Sequence, residues 1–182
     1  IIVSDKRNDP LGDQLKKCED IESMERIATP FLVARLDGRG FSKFTKGLKR
    51  PYDERLSALM ENTTKYLIES LNPLLGYTQS DEISLFWTNR NGIDYPFGGR
   101  KQKLVSTLAA LATGYFNKHL HTIPEKSEWI PTFDCRIISV ETLDDVLDNF
   151  IWRERDANKN AISMAASTHI NHHKLLGVHS DK

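Results

Sequence analysis

Phe31-Leu-Val-Ala-Arg-Leu36 runs directly into Asp37-Gly-Arg-Gly-Phe-Ser-Lys-Phe44, and the fold is read outward from this junction. The first six residues are almost wholly apolar, the pattern of a short strand buried on both faces. The strand is predicted to end at Leu36. Asp37-Gly38-Arg39-Gly40 is then predicted to turn, because its glycines tolerate backbone angles that other residues avoid. A carboxylate at a strand end, followed by glycines and cations, suits a metal-bound phosphate.

On the N-terminal side, Asp9-Pro10 is an N-cap and N1 pair, with Leu11, Leu15, Cys18 and Ile21 at helical spacing. A helix is expected from about Pro10 to Arg26, closed by the Thr29-Pro30 step. Beyond the junction, Asp53 caps a helix whose inner stripe is Leu56, Leu59, Met60, Thr63, Leu67 and Leu71. Leu74 to Gln79 and Ile83 to Trp87 read as strands joined tightly through Ser80-Asp81-Glu82. A loop over Asn89 to Gly99 leads to a helix over Arg100 to Lys118, with Leu104, Leu108, Leu111, Ala112 and Tyr115 on one face. Thr132 to Val140 is the last strand. Two helices are expected after it, Leu143 to Trp152 and Asp156 to His169.

Without its flanking helices this order is strand, helix, strand, strand, helix, strand. The predicted class is α+β, a ferredoxin-like βαββαβ sheet with an N-terminal helix and C-terminal helices. Residues 1–182 read as one domain, with its core at 30–140 and a helical extension over 141–182. In this topology the third strand lies between the first and second and opposes both. The end of the first strand therefore meets the hairpin joining the second and third. Asp37 is predicted to adjoin Asp81 and Glu82, although more than 40 residues separate them in the chain.

Carboxylates brought together repel, and a hard divalent cation relieves them. Oxygen ligands without His or Cys point to magnesium or manganese. Two such ions could activate an attacking hydroxyl and stabilise a leaving oxygen. The glycine turn offers N–H groups to phosphates, and Arg39, Lys43, Arg50 and Lys103 are the cations available to a triphosphate.

Composition leaves this reading room. Lys plus Arg equals Asp plus Glu, 25 each, so overall charge selects no partner. The charge is nevertheless segregated: seven basic residues against three acids from Arg35 to Arg55, no acid from Gly98 to Pro124, and six acids against two arginines from Glu141 to Asp156. These segments read either as an oriented anion-binding surface or as solvated faces. Cys18 and Cys135 lie too far apart for a CxxC unit, so a zinc or disulfide scaffold is not expected, and an intracellular, cytoplasmic setting is. No run of 18 apolar residues or signal-like core occurs, and no membrane partner is expected. His169, His172 and His173 form a local cluster, read as a polar helix end or an RNA contact rather than a metal site. The chain begins at Ile1 and stops at Asp181-Lys182, so either end is expected to be incomplete.

Arg35-Leu-Asp-Gly-Arg-Gly-Phe41, Gln79-Ser-Asp-Glu82, Phe133-Asp134 and Trp152-Arg153, in this order, resemble the tRNA-histidine guanylyltransferase family. Lys49-Arg-Pro-Tyr-Asp-Glu-Arg55, Gln79 to Ser84 and Trp152 to Ala157 bring the chain closer to its bacterial and archaeal guanylyltransferase-like branch. The resemblance implies a polymerase-type palm that adds nucleotides 3′-to-5′ to the 5′ end of tRNA, using GTP and ATP. It implies two Mg2+ ions on Asp37, Asp81 and the Gly38 carbonyl, with Mn2+ as a substitute and Glu82 in support. It implies a nucleotide lined by Asp37, Gly38, Arg39, Gly40, Phe41, Ser42, Ser80 and Asp81, with Arg50 and Lys103 near the triphosphate. A homotetramer is also implied.

Eukaryotic members carry a histidine where this chain has Ser42, and His-Ile-Asn-Asn where it reads Asn158-Lys-Asn-Ala161. Template-dependent repair of tRNA 5′ ends is therefore expected over non-templated guanosine addition. The alternatives are a palm-type nucleotide cyclase, or a non-catalytic RNA-binding module displaying Phe31, Phe86 and Trp87 for base stacking.

Overall fold

The computed structural model describes residues 10–23, 25–89 and 94–169. Its elements are α1 (Pro10–Ser23), β1 (Phe31–Arg39), α2 (Phe41–Phe44), α3 (Glu54–Leu71), β2 (Leu75–Gln79), β3 (Glu82–Thr88), α4 (Lys101–Lys118), β4 (Thr132–Val140) and α5 (Leu143–His169). The four strands form one sheet in the order β2-β3-β1-β4, antiparallel throughout. This is the βαββαβ arrangement expected from the sequence, with β3 between β2 and β1.

Period-two alternation along β1 assigns its two faces. Leu32, Ala34 and Leu36 point to the main core with Ile83, Leu85 and Trp87, beneath α3 and α4. Leu59, Met60 and Leu67 of α3 meet them, as do Leu104, Leu108, Ala112 and Phe116 of α4. A fully buried leucine contributes roughly 1.5–3 kcal/mol by leaving water. Phe31 and Val33 point the other way, under Val146 and Phe150 of α5. Phe31 stacks on Phe86 there, and Trp87 is in the main core, so none of these three rings is displayed for base stacking. That coverage removes the platform an RNA-binding module would need.

Four expectations are corrected. β1 does not end at Leu36 but continues to Arg39, because β4 supplies partners through Gly38↔Phe133 and Arg39↔Thr132. The turn falls at Gly40, whose φ of 72° is left-handed. The C-terminal segment is one helix, not two: no Gly or Pro interrupts it, and the charged Arg153-Glu-Arg155 sits within it. α1 stops at Ser23, before Arg26, and leaves Leu11 and Leu15 more than half exposed, so its apolar stripe is not core. On α4, Phe116 rather than Tyr115 fills the core; Tyr115 stacks on Tyr66 across the α3–α4 groove.

Asp53 caps α3 as expected, accepting from the Arg55 amide at 3.1 Å. Among the described residues both cysteines are free, and no helix is long and apolar enough to cross a membrane. The expected His169, His172 and His173 cluster lies outside the described side chains.

Candidate active site

Strand register assembles the site. On β1, Asp37 pairs with Glu82 of β3 on one side and Asp134 of β4 on the other, so three carboxylates stand in a row across one sheet face. The main helices lie on the opposite face. Asp81 joins the row at its corner, in the two-residue turn Ser80-Asp81 between β2 and β3. The Gly38 amide donates to the Asp81 carbonyl at 3.0 Å, fixing that turn against β1. The Gly38 carbonyl leaves β1 on the same side.

The four acids have different surroundings. Asp81 accepts from the Ser80 hydroxyl at 3.1 Å, yet its carboxyl is raised above the ordinary carboxylate range. Burial is the main cause, and the charges of Asp37 and Glu82 add to it. Asp134 turns a buried Oδ1 inward that finds no hydrogen-bond donor, the Arg136 Nε standing 3.7 Å away. Glu82 is the neutralised one. Arg153 of α5 donates from Nε to Oε1 and from Nη2 to Oε2, both at 2.7 Å, and Arg35 Nε lies 3.8 Å from Oε2.

The row therefore carries more negative charge than the protein compensates. A raised Asp81 and an orphaned Asp134 oxygen both fit a divalent cation at this edge. Among the described residues, no three His, Cys, Asp or Glu side chains stand close enough to enclose an ion. An ion here would draw its remaining ligands from water and phosphate, the habit of magnesium rather than calcium or zinc.

The expected nucleotide-binding residues divide into groups. Asp37, Gly38, Ser80 and Asp81 come together at the hairpin. Arg39, Gly40 and Ser42 follow as an exposed rim. The Phe41 side chain is not part of that rim: it is 2% exposed and packs against Phe44, Phe116 and Phe133, leaving only its main chain for a ligand. Arg50 is exposed on the loop after α2, which is held from behind by Lys126 donating to the Lys46 carbonyl at 2.8 Å.

Lys103 is not brought to the pair. It sits over the Phe97 ring in the first turn of α4. The chain there is pinned near the beginning of β1, by the Ile27 amide to the Gly99 carbonyl and the Lys101 amide to the Glu25 carbonyl. Asp37 lies six residues along β1, about 20 Å from Phe31 at strand rise.

The sequence reading missed two residues. Asp134 was legible once β4 was placed beside β1, since the register then sets it opposite Asp37. Arg153 carried only its place in the Trp152-Arg153 motif.

The profile of the tRNAHis guanylyltransferase family matches residues 12–141. The chain belongs to that family. It is 34% identical over 153 residues to the tRNA(His) guanylyltransferase of Debaryomyces hansenii, covering 78% of this chain and 57% of that protein. It is 30% identical over 188 residues to an uncharacterised protein of Acanthamoeba polyphaga mimivirus, covering 90% and 64%. The chain thus spans roughly half to two thirds of these relatives. Among solved structures, a bacterial tRNA(His) guanylyltransferase-like protein in complex with ATP superposes with a TM-score of 0.86 at 34% identity, covering 94% of this chain and 75% of that one. The guanylyltransferase-like protein in complex with GTP gives 0.80 at 34% identity, covering 89% and 78%. These matches agree with a palm-type guanylyltransferase fold.

Proposed function

We propose that this chain is the catalytic palm of a magnesium-dependent 3′-to-5′ nucleotidyltransferase that extends the 5′ end of tRNA. The observation that carries the reading is the junction of Asp37 with Asp81 through the Gly38 amide, beside a Glu82 already neutralised by Arg153. ATP and GTP in the complexes of the two bacterial guanylyltransferase-like structures support nucleoside triphosphates as ligands.

Asp37, Asp81 and the Gly38 carbonyl would hold the metal. Two magnesium ions, when bound, would polarise the phosphorus under attack and stabilise the departing oxygen. The chain supplies the rest. Gly40 to Ser42 offer main-chain N–H groups at the rim, and Arg39, Lys43 and Arg50 offer positive charge to the triphosphate. In the first step an oxygen of the tRNA 5′-monophosphate attacks the α-phosphorus of ATP, pyrophosphate departs, and the end is left adenylylated; an RNA that already carries a 5′-triphosphate enters at the second step. The 3′-hydroxyl of an incoming nucleotide then attacks the RNA 5′-phosphorus, and AMP or pyrophosphate departs. Ser42, where eukaryotic members carry histidine, supports template-dependent repair over non-templated addition. A tetramer is proposed from the family resemblance.

The test is incubation with GTP, ATP, Mg2+ and a 5′-truncated, 5′-phosphorylated tRNA. Extension opposite a template nucleotide is expected. Absence of extension by the wild type, or undiminished extension by Asp81→Ala, overturns the proposal. Release of cyclic nucleotide from GTP without RNA would indicate a cyclase instead.

A further inference from the structure

Of the four acids at the catalytic edge, only Glu82 has both oxygens taken by a protein cation. Arg153 grips it in a bidentate pair, with 13% and 15% of the two side chains exposed. The guanidinium is itself held in place. Asp156 accepts from Nη2 at 3.1 Å, and the Trp152 ring lies 4.5 Å from the guanidinium carbon. Burial works against the Arg153 charge, but Glu82, Asp156 and Asp37 outweigh it, so the group is held more firmly cationic than usual. Fork-to-fork pairing occupies the lone pairs that a carboxylate would direct at a metal.

Position makes this pair more than a surface staple. Glu82 is the register partner of Asp37 and the sequence neighbour of Asp81. A free Glu82 would add another charged side chain beside Asp37 and Asp81, the two aspartates that would hold the metal. Oxygen sites gain affinity as charged ligands are added, and lose the reluctance to fill that lets metal arrive with its phosphate.

We infer that Arg153 is a positioning residue of the catalytic edge: by taking both oxygens of Glu82 it withdraws that carboxylate from the acidic side chains facing a divalent cation. It also couples α5 to the hairpin that carries Asp81. The inference rests on the metal-site reading above. It assigns Glu82 an indirect role, acting through Arg153 rather than as a ligand.

The experiment is a titration of nucleotide-free protein with Mn2+, following free Mn2+ by electron paramagnetic resonance, with circular dichroism to confirm folding. Removing a cation this close to the edge and freeing a carboxylate should tighten Mn2+ binding by Arg153→Gln about tenfold. The double variant Arg153→Gln/Glu82→Gln should return to within about twofold of wild type. A pair that merely fastens α5 would lower the melting temperature and leave Mn2+ affinity unchanged. A folded Arg153→Gln with wild-type affinity, or a double variant as tight as the single, overturns the inference. Should Arg153→Gln fail to fold, Arg153→Lys keeps a cation but engages one oxygen, and a gain of about threefold is expected. Wild-type affinity in folded Arg153→Lys overturns it equally. Asp81→Asn separates the two levels: if it binds Mn2+ with GTP as well as wild type, the metal-site reading itself fails.

Discussion

The ring of Phe41 fills the space beside Gly38 so closely that a Cβ on Gly38 would stand 2.4 Å from its Cδ2. Phe41 cannot withdraw easily, because Phe44, Phe116 and Phe133 surround it at centroid distances of 5.0 to 5.5 Å. Gly38→Ala is therefore expected to destabilise the fold by about 1–3 kcal/mol, the usual range for overpacking. Urea denaturation measures this, and equal midpoints for wild type and variant would contradict the packing described.

Asp81 carries a functional strain of charge. Its folded carboxyl has a raised proton affinity, so its ionised form opposes folding at neutral pH. That opposition is absent below the ordinary carboxylate value and complete above the raised one. Asp81→Asn is expected to melt at or above the wild-type temperature at pH 7 while losing nucleotide addition. The excess should vanish as the pH falls below 4. A lowered melting temperature at pH 7 would contradict it.

Asp53 behaves in the opposite sense. Its carboxylate accepts from the Arg55 side chain at 2.8 and 3.0 Å, and from the amides of Lys49 and Arg55 at 3.2 and 3.1 Å. The Arg55 guanidinium is the main reason that its carboxyl lies well below the usual range, against the effect of burial. Its stabilisation is present above the ordinary carboxylate value and is lost as the pH falls through the depressed one. Asp53→Ala should cost about 2 kcal/mol at pH 7 through the lost cap and ion pair. Chemical denaturation at pH 7 and pH 2.5 should show the gap narrowing in acid, and a constant gap would contradict it.

The two cysteines should differ in reactivity. Burial, with the Asp134 charge adding, pushes the Cys135 thiol up to about 12, whereas Cys18 is exposed on α1. Iodoacetamide at pH 8 should label Cys18 well before Cys135, and unfolding should make their rates similar. Mass spectrometry reads this directly, and early modification of Cys135 would contradict the burial.

The topology was legible because its signals were local: Asp53 at a cap, and the short Ser80-Asp81 link between apolar runs. Element order then placed Asp37 beside Asp81. The length of β1 was not legible, since Gly38 and Arg39 resemble turn residues until β4 offers them partners. Nor was the role of Glu82. Its neutralisation depends on Arg153, 71 residues away on a helix whose docking angle no local pattern specifies. The position of Lys103 was not legible for a related reason: composition marks it as a cation, but only tertiary structure sets it over the Phe97 ring in the first turn of α4.

Asp37 occupies an interior strand, bonded on one side to β3 and on the other to β4. Fraying from either rim of the sheet must pass through a whole strand before reaching it. Amide hydrogens near Asp37 should thus exchange with solvent only when the entire sheet opens. A partly opened sheet would therefore lose the register that sets Asp37 beside Asp81, and with it the whole acidic edge at once.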